Sequence, residues 1–486
     1  MANCIPPLTQ HNQLSSDMLL LTGNHKNVGH NSPSKCPKEN SPCSSPCKSP
    51  NKRPRLLTSD EKTASLSIGK NWNQFLPAHF ASISIDAPSA KIKSMTTKIF
   101  AEAVLPKQIN LQVLEKIVEI VHRLQPMGYV HYKKYAEILD PINLKPMSIL
   151  PASFFVVALA KRTFACFKAP GFTANGSEAK ICQSVGLEFI NTTEGVRFVR
   201  KFDAAKHTTP LISDDVIQGN KDRIQASVDL NGVSNMAHPY FHGLYTGASG
   251  NRKLMMLFDL YQGDLFHFLD SHRFDKDIRK VNARTVALQL GQALLQIHQK
   301  NYVHRDIKVD NVLANWVNTS PLTGPLLKTI ALTDFNLSTS LNPNNERLKQ
   351  ACGSLLYVAP EMLAKVLKLD QLYFELEVTD PSTLFGKGLD LWGYGLILHY
   401  FLNGKFPDHV NIINSMVECS EKDGTEEDLM AIKLKWQKLM CDLIKTQKNT
   451  PLPEETTLET FISGLLQIDP RRRLNSTQIQ AALAKL

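Results

Sequence analysis

The sequence lacks any apolar run long enough to cross a bilayer. Its longest, Phe154 to Ala160, is far short of the roughly 20 residues that a spanning helix needs. A secretory leader is not expected either, because Met18-Leu19-Leu20-Leu21 follows Asp17 rather than a basic stretch. Cysteine is sparse, with nine scattered over 486 residues. That excludes a disulfide scaffold and fits free thiols in a reducing compartment. Cys36, Cys43 and Cys47 lie close together, but no fourth ligand stands at zinc spacing, and they read as free thiols. No internal repeat, collagen triplet or sustained heptad pattern is present. What remains is 43% hydrophobic and 21% charged, a globular composition with material for a large core.

The net charge of +10 is unevenly placed. The first 70 residues hold nine lysines and arginines against four acidic residues, which is half of the excess. Residues 1–75 form a basic tail rich in Ser and Pro. With no apolar periodicity, the tail cannot offset its ordering entropy and is expected to be disordered. Ser32-Pro33-Ser34-Lys35, Ser45-Pro46-Cys47-Lys48 and Ser49-Pro50-Asn51-Lys52 resemble sites for a proline-directed kinase. Lys52-Arg53-Pro54-Arg55 resembles a short nuclear-import signal.

Residues 76–160 are expected to form a helical N-terminal extension. Within it, Leu114, Ile117, Val118, Val121 and Leu124 recur at spacings of three and four, the stripe of an amphipathic helix packing on the domain that follows. From residue 161 the chain is continuously globular.

Three segments carry the chemistry. Tyr302 to Leu313 reads YVHRDIKVDNVL, an apolar pair leading into His-Arg-Asp, then Lys308 and Asn311. Ile330 to Asn336 is a β-rich run ending at Asp334-Phe335-Asn336. Gly353 to Glu361 reads GSLLYVAPE. A lone Asp is ordinarily a solvated charge, but the three motifs in this order remove that reading. Over about residues 165–486 the sequence resembles the eukaryotic-type protein kinase family. The resemblance implies an α+β, two-lobed fold within 161–486, with a small β-rich lobe at about 161–260 and a larger helical lobe at about 261–486. It implies a serine/threonine protein kinase that transfers the terminal phosphate of ATP to protein hydroxyls and autophosphorylates. The alternative class is a pseudokinase, a binding scaffold that kept the fold.

Residue by residue, the resemblance makes Asp306 the group that orients and deprotonates the substrate hydroxyl, and Lys308 the cation that offsets charge on the moving phosphoryl group. Asn311 and Asp334 would hold Mg²⁺ through oxygen. Lys308 favours Ser/Thr over Tyr specificity. Asp390 matches the family's buried structural aspartate, and Arg473 the arginine paired with Glu361. Around ATP, Gly176 falls in the glycine-rich loop and Ile181 follows it. Alternation puts Val199 and Lys201 on one strand face. Lys201 is the expected phosphate-binding lysine and Lys206 its rival. No glutamate lies between Glu194 and Tyr261, so Asp229 is expected to pair with that lysine. Phe258 would back the adenine pocket, with Asp259 and Tyr261 in the hinge, Asp264 near the ribose and Leu313 beneath.

The departures from the family are the alanines of the loop, Asp229, and Asn336 where the family has glycine. Asn336 would tolerate a positive φ there. Ser338, Thr339 and Ser340 are candidate phosphosites able to pair with Arg305. Protein substrates are the expected partners, with no membrane span and no nucleic acid. The expected compartment is cytoplasmic or nuclear, or a host cell into which an intracellular bacterium secretes the protein.

Overall fold

The computed structural model describes residues 90–124 and 155–486 apart from short stretches, the longest being 211–223 and 377–385. The Ser/Pro-rich tail, its basic motif, Cys36, Cys43, Cys47 and Gly176 lie outside the described residues. Two helices come first, α1 (Ala90–Glu102) and α2 (Leu111–Leu124). A six-stranded antiparallel sheet follows, made of β1 (Phe155–Ala158), β2 (Arg162–Asn175), β3 (Lys180–Thr192) and β4 (Gly195–Pro210), then β5 (Phe241–Thr246) and β6 (Arg252–Asp259). The order is β1-β2-β3-β4-β6-β5. Between β4 and β5 a short helix, α3, spans 224–229.

α2 forms where the stripe predicts it. Asn110 accepts a hydrogen bond from the Val113 N–H at 2.9 Å and satisfies one of the open donors of the first turn. Ile117, Val118 and Val121 are wholly buried against Phe167, Leu187 and Phe189 of the sheet. Each such side chain contributes about 1.5–3 kcal/mol. The stretch expected to be helical nonetheless supplies a strand. β1 pairs with β2 through Phe155↔Cys166 to Ala158↔Thr163, because Phe-Val-Val is a β-branched and aromatic run.

The chain leaves the sheet at Leu260 and enters a helical lobe. This contains β7 (Gly263–Asp264), α4 (Leu265–Ser271), α5 (Lys276–Gln299), β8 (Tyr302–Val303), β9 (Val312–Asn318), β10 (Pro325–Leu332) and β11 (Thr339–Ser340). It continues through α6 (Pro360–Leu367), α7 (Lys387–Asn403), α8 (Asp408–Glu421), α9 (Glu426–Asn449), α10 (Leu458–Leu465) and α11 (Ser476–Leu483). α7 is its axis, buried from Leu389 to Leu398. Gly393 lets α7 approach the His-Arg-Asp loop, since a Cβ there would lie 2.6 Å from the Ile307 carbonyl oxygen. Among the described residues no helix is long and apolar enough to cross a membrane. The architecture is the expected α+β arrangement, a β-rich lobe joined to a helical one.

Candidate active site

The His-Arg-Asp loop is suspended from α7. The Asp390 carboxylate accepts from the backbone N–H groups of His304 (2.9 Å) and Arg305 (2.7 Å) and from His298 Nε2 (2.9 Å). Burial alone would raise the pKa of Asp390. The hydrogen bond and charge of His298, with those of His304, outweigh burial and hold it below the ordinary value. His304 donates from Nε2 to the Thr333 carbonyl oxygen at 2.9 Å and packs on Phe335 with ring centroids 4.8 Å apart. These contacts fix the loop against the strand that ends at Asp334. The chain is forced into the left-handed region at both ends of that contact, with φ of 73° at Arg305 and 63° at Asp334.

On this frame Asp306 is held by three partners. Asn311 Nδ2 donates to its Oδ2 and to its backbone oxygen, both at 2.8 Å. Ser354 Oγ donates to Oδ1 at 2.9 Å. Lys308 Nζ lies 3.2 Å from Oδ2 and donates to Ser354 Oγ at 2.8 Å. Gly353 is required beside it. Its φ is 105°, and a Cβ would meet the Arg305 carbonyl oxygen at 2.7 Å.

Across the loop, the Thr333 N–H donates to the Asn311 carbonyl at 2.9 Å and brings Asp334 alongside. Asp334 Oδ1 is buried and has no hydrogen-bond donor. A buried carboxylate oxygen left without a donor is costly unless a cation completes it. With its amide nitrogen bound to Asp306, Asn311 has its amide oxygen available to the same cation. This oxygen donor set fits Mg²⁺. Asp310 and Asp264 lie close enough to interact. Burial raises the pKa of each, Asp306 adds to the rise at Asp310, and Lys308 opposes it. Asp264 and Asp306 thus each lie within interaction range of Asp310, with Lys308 beside Asp306.

At the hinge, Phe258 is buried in one cluster with Ala237, Met256 and Ala331, against which Tyr261 and Leu313 pack. Asp264 caps α4, its Oδ1 accepting from the His267 N–H at 2.7 Å. The expected wall, hinge and floor are thus contiguous.

The N-terminal side departs from expectation. Lys201 pairs with Asp203 at 3.4 Å, and Asp229 takes other partners. Gln225 donates to Asp229 at 2.8 Å, the Tyr302 hydroxyl donates to its second oxygen, and Lys300 Nζ reaches its backbone oxygen at 3.0 Å. The anticipated Lys201–Asp229 ion pair is not formed. The cause is register. β4 pairs with β6 only from Ala204↔Asp259 onward, so Lys201 lies beyond the hinge end of that ladder. Val199 is the unpaired residue where the β3–β4 ladder shifts register and is 42% exposed, so it does not line a pocket with Lys201.

Lys206 sits opposite Leu257, a position that the small-x-Lys pattern Ala204-Ala205-Lys206 could have signalled. Strand alternation nevertheless turns it to the face opposite Phe258. The ionisable ring on the Phe258 face is His207, 4.8 Å from it between centroids, with Ile181 paired beside it on β3.

Asn336 does not adopt a positive φ; Asp334 does. The missing glycine therefore costs nothing at that position. Ser338 and Thr339 are buried and Ser340 is half-buried. β11 pairs with β8, and Asn345 bonds Thr339 and Ser340, which closes these expected phosphosites in this conformation.

In the helical lobe, Arg473 makes two 2.6 Å bonds to Glu361, one to each carboxylate oxygen. It donates to the Gly388 carbonyl at 3.0 Å and stacks over Trp392 at 5.0 Å.

A two-lobed fold with this loop defines the class, and comparison with known proteins agrees. The family model described as the protein kinase domain matches residues 211–483, more than half of the chain. The chain belongs to the protein kinase family. It is 29% identical over 243 residues to the meiosis-specific serine/threonine-protein kinase MEK1 of Saccharomyces cerevisiae, covering 50% of this chain and 44% of that one. It is 27% identical over 246 residues to the human phosphorylase b kinase gamma catalytic chain, liver/testis isoform, covering 50% and 49%. Protein kinase kin1 of Schizosaccharomyces pombe is 29% identical over 194 residues, covering 40% and 18%. The chain thus spans half or less of the length of these relatives.

Proposed function

We propose that the chain is a serine/threonine protein kinase that transfers the γ-phosphate of ATP to hydroxyls of protein substrates and of itself. The observation that carries this reading is Asp306 held by Asn311, Lys308 and Ser354 next to the donorless oxygen of Asp334. Asp306 Oδ1 or Oδ2 orients the attacking hydroxyl and takes its proton as the oxygen bonds to phosphorus and the bond to ADP breaks. Lys308 stands beside the path of the transferred group and offsets its charge. Asn311 and Asp334 would hold Mg²⁺, which would supply positive charge to offset that of the phosphates when bound. Asp259 and Tyr261 present backbone to the adenine, Phe258 and Leu313 enclose it, and Asp264 stands near the ribose. The Lys201–Asp229 pair has no part in this reading. Gly176, outside the described residues, is the glycine this reading assigns to the phosphate-binding loop.

The second reading, a scaffold that kept the fold, is favoured by one observation: Asp229 is engaged by Tyr302 and Lys300 rather than by a strand lysine. Autophosphorylation with Mg²⁺-ATP separates the two. Phosphate on Ser or Thr that disappears in Asp306→Asn is the expected result. Absence of both phosphate and ATP binding would establish the scaffold. The Ser-Pro-x-Lys segments of the tail are proposed substrates of a second, proline-directed kinase, and the adjacent basic motif supports a cytoplasmic or nuclear location. A host cell receiving the protein from a bacterium is the other placement.

A further inference from the structure

A chain of polar side chains runs over the sheet face opposite the nucleotide pocket and ends at the hinge. Glu188, 3% exposed on β3, accepts from Arg162 Nε at 2.7 Å and from Arg200 Nε at 2.9 Å. Arg200 donates from Nη2 to the Tyr240 hydroxyl at 3.1 Å, and that hydroxyl donates to Asp259 Oδ1. The ring of Tyr240 is seated on Phe202 and Phe164, with centroids 4.7 and 5.8 Å away. Its backbone N–H donates to the Leu257 carbonyl at 2.7 Å. The next link falls on the other side of Asp259, where the Leu260 N–H donates to the Asp203 carbonyl at 3.1 Å.

Phe258 points into the pocket and Asp259 away from it, as alternation requires. The Asp259 side chain therefore cannot touch the nucleotide, but it can fix the peptide that does. We infer that Arg200, Tyr240 and Asp259 form a latch on the outer sheet face that holds the hinge backbone in its adenine-binding position, with Tyr240 as the positioning residue. The inference rests on the proposed kinase reading. The physical basis is preorganisation: a backbone donor and acceptor held in place before binding need not be ordered during it. The carboxylate makes the Tyr240 bond charge-assisted and stronger than a neutral pair.

The test uses the full chain with ADP and ATP as probes. Tyr240→Phe keeps the ring and removes only the hydroxyl. Nucleotide affinity is measured by calorimetry, so turnover is not needed, and KM and kcat are measured separately. The expected result is about a three- to ten-fold rise in Kd and in KM for ATP. kcat and the thermal midpoint should stay close to those of the natural protein. Asp259→Ala should give the same shift, and the double variant should be no worse than either single one, the signature of a shared pair. An unchanged Kd in Tyr240→Phe, or additive losses in the double variant, would overturn the latch alone. A natural protein that binds neither nucleotide would overturn the kinase reading and the latch with it.

Discussion

The two lobes treat sequence differently. In the helical lobe the site depends on side chains whose atoms are individually committed: Asp390 to two backbone amides and a histidine, Asn311 to one carboxylate oxygen and the backbone oxygen of Asp306, Arg473 to both carboxylate oxygens of Glu361. No other residue type makes the same set of bonds, so identities there are constrained. In the β lobe the fold depends on burying alternate residues of long strands. Val, Ile, Leu, Phe, Cys and Ala all serve that purpose, and a swap that conserves volume is tolerated there. The family match begins at residue 211, just after β4. Catalytic geometry constrains residue identity, and sheet burial constrains only pattern.

The largest effect separates these two regimes. Asp306→Asn preserves volume and the Asn311 bond while removing the base. It should lower phosphate transfer from labelled ATP by about 10²- to 10⁴-fold with little change in thermal midpoint. A rate within a few-fold of the natural protein would mean that another group takes the proton. The next effect is on stability. Glu361→Gln strips the charge from a pair that is 0–1% exposed and leaves the Arg473 guanidinium buried. The expected loss is about 3–5 kcal/mol by chemical denaturation. The β lobe offers the contrast. Arg162 and Arg200 pair with a buried Glu188 but are themselves 43% and 47% exposed. Arg162→Ala should cost no more than about 1 kcal/mol. Equal losses at the two pairs would remove the distinction between the lobes.

A third measurement concerns which β4 side chain serves the nucleotide pocket. The helical-lobe set was legible in the sequence because its residues recur as local motifs: Asp306, Lys308 and Asn311 lie within six positions, and the Glu361–Arg473 pair is flagged by Ala-Pro-Glu and by the arginine run. A small β-rich lobe and the hinge were legible through the family resemblance, whereas β1 lies in the stretch expected to be helical. The orientation of a given side chain in β4 was not. A register shift between Glu188 and Phe189 inserts Val199 as an unpaired residue, and one extra residue reverses every face assignment made across it. Nothing in the stretch Val196 to Lys206 announces that shift. Nor does local sequence reveal that Tyr302, 73 positions away, takes the carboxylate of Asp229. With Lys201 beyond the hinge end of the β4–β6 ladder and His207 within it, His207→Ala should weaken ATP binding by about three- to ten-fold, while Lys201→Met should stay within about two-fold. A large loss in Lys201→Met would show that β4 changes register when nucleotide binds.

The smallest effect has the most informative sign. Asn336 stands where the family has glycine, and the reading from sequence was that asparagine tolerates the backbone that glycine adopts there. If φ at this position were positive, Asn336→Gly would relieve strain and stabilise the protein. The positive φ belongs instead to Asp334, two residues earlier, and Asn336 lies in ordinary space. Glycine would then add only unfolded-chain entropy, and Asn336→Gly should destabilise the protein by roughly 0.5–1 kcal/mol with transfer activity retained. A stabilising shift would mean that the segment after Asp334 flips into the left-handed region in the populated state. The helical lobe would then store strain at a position that its motif, read from sequence, correctly assigned to glycine.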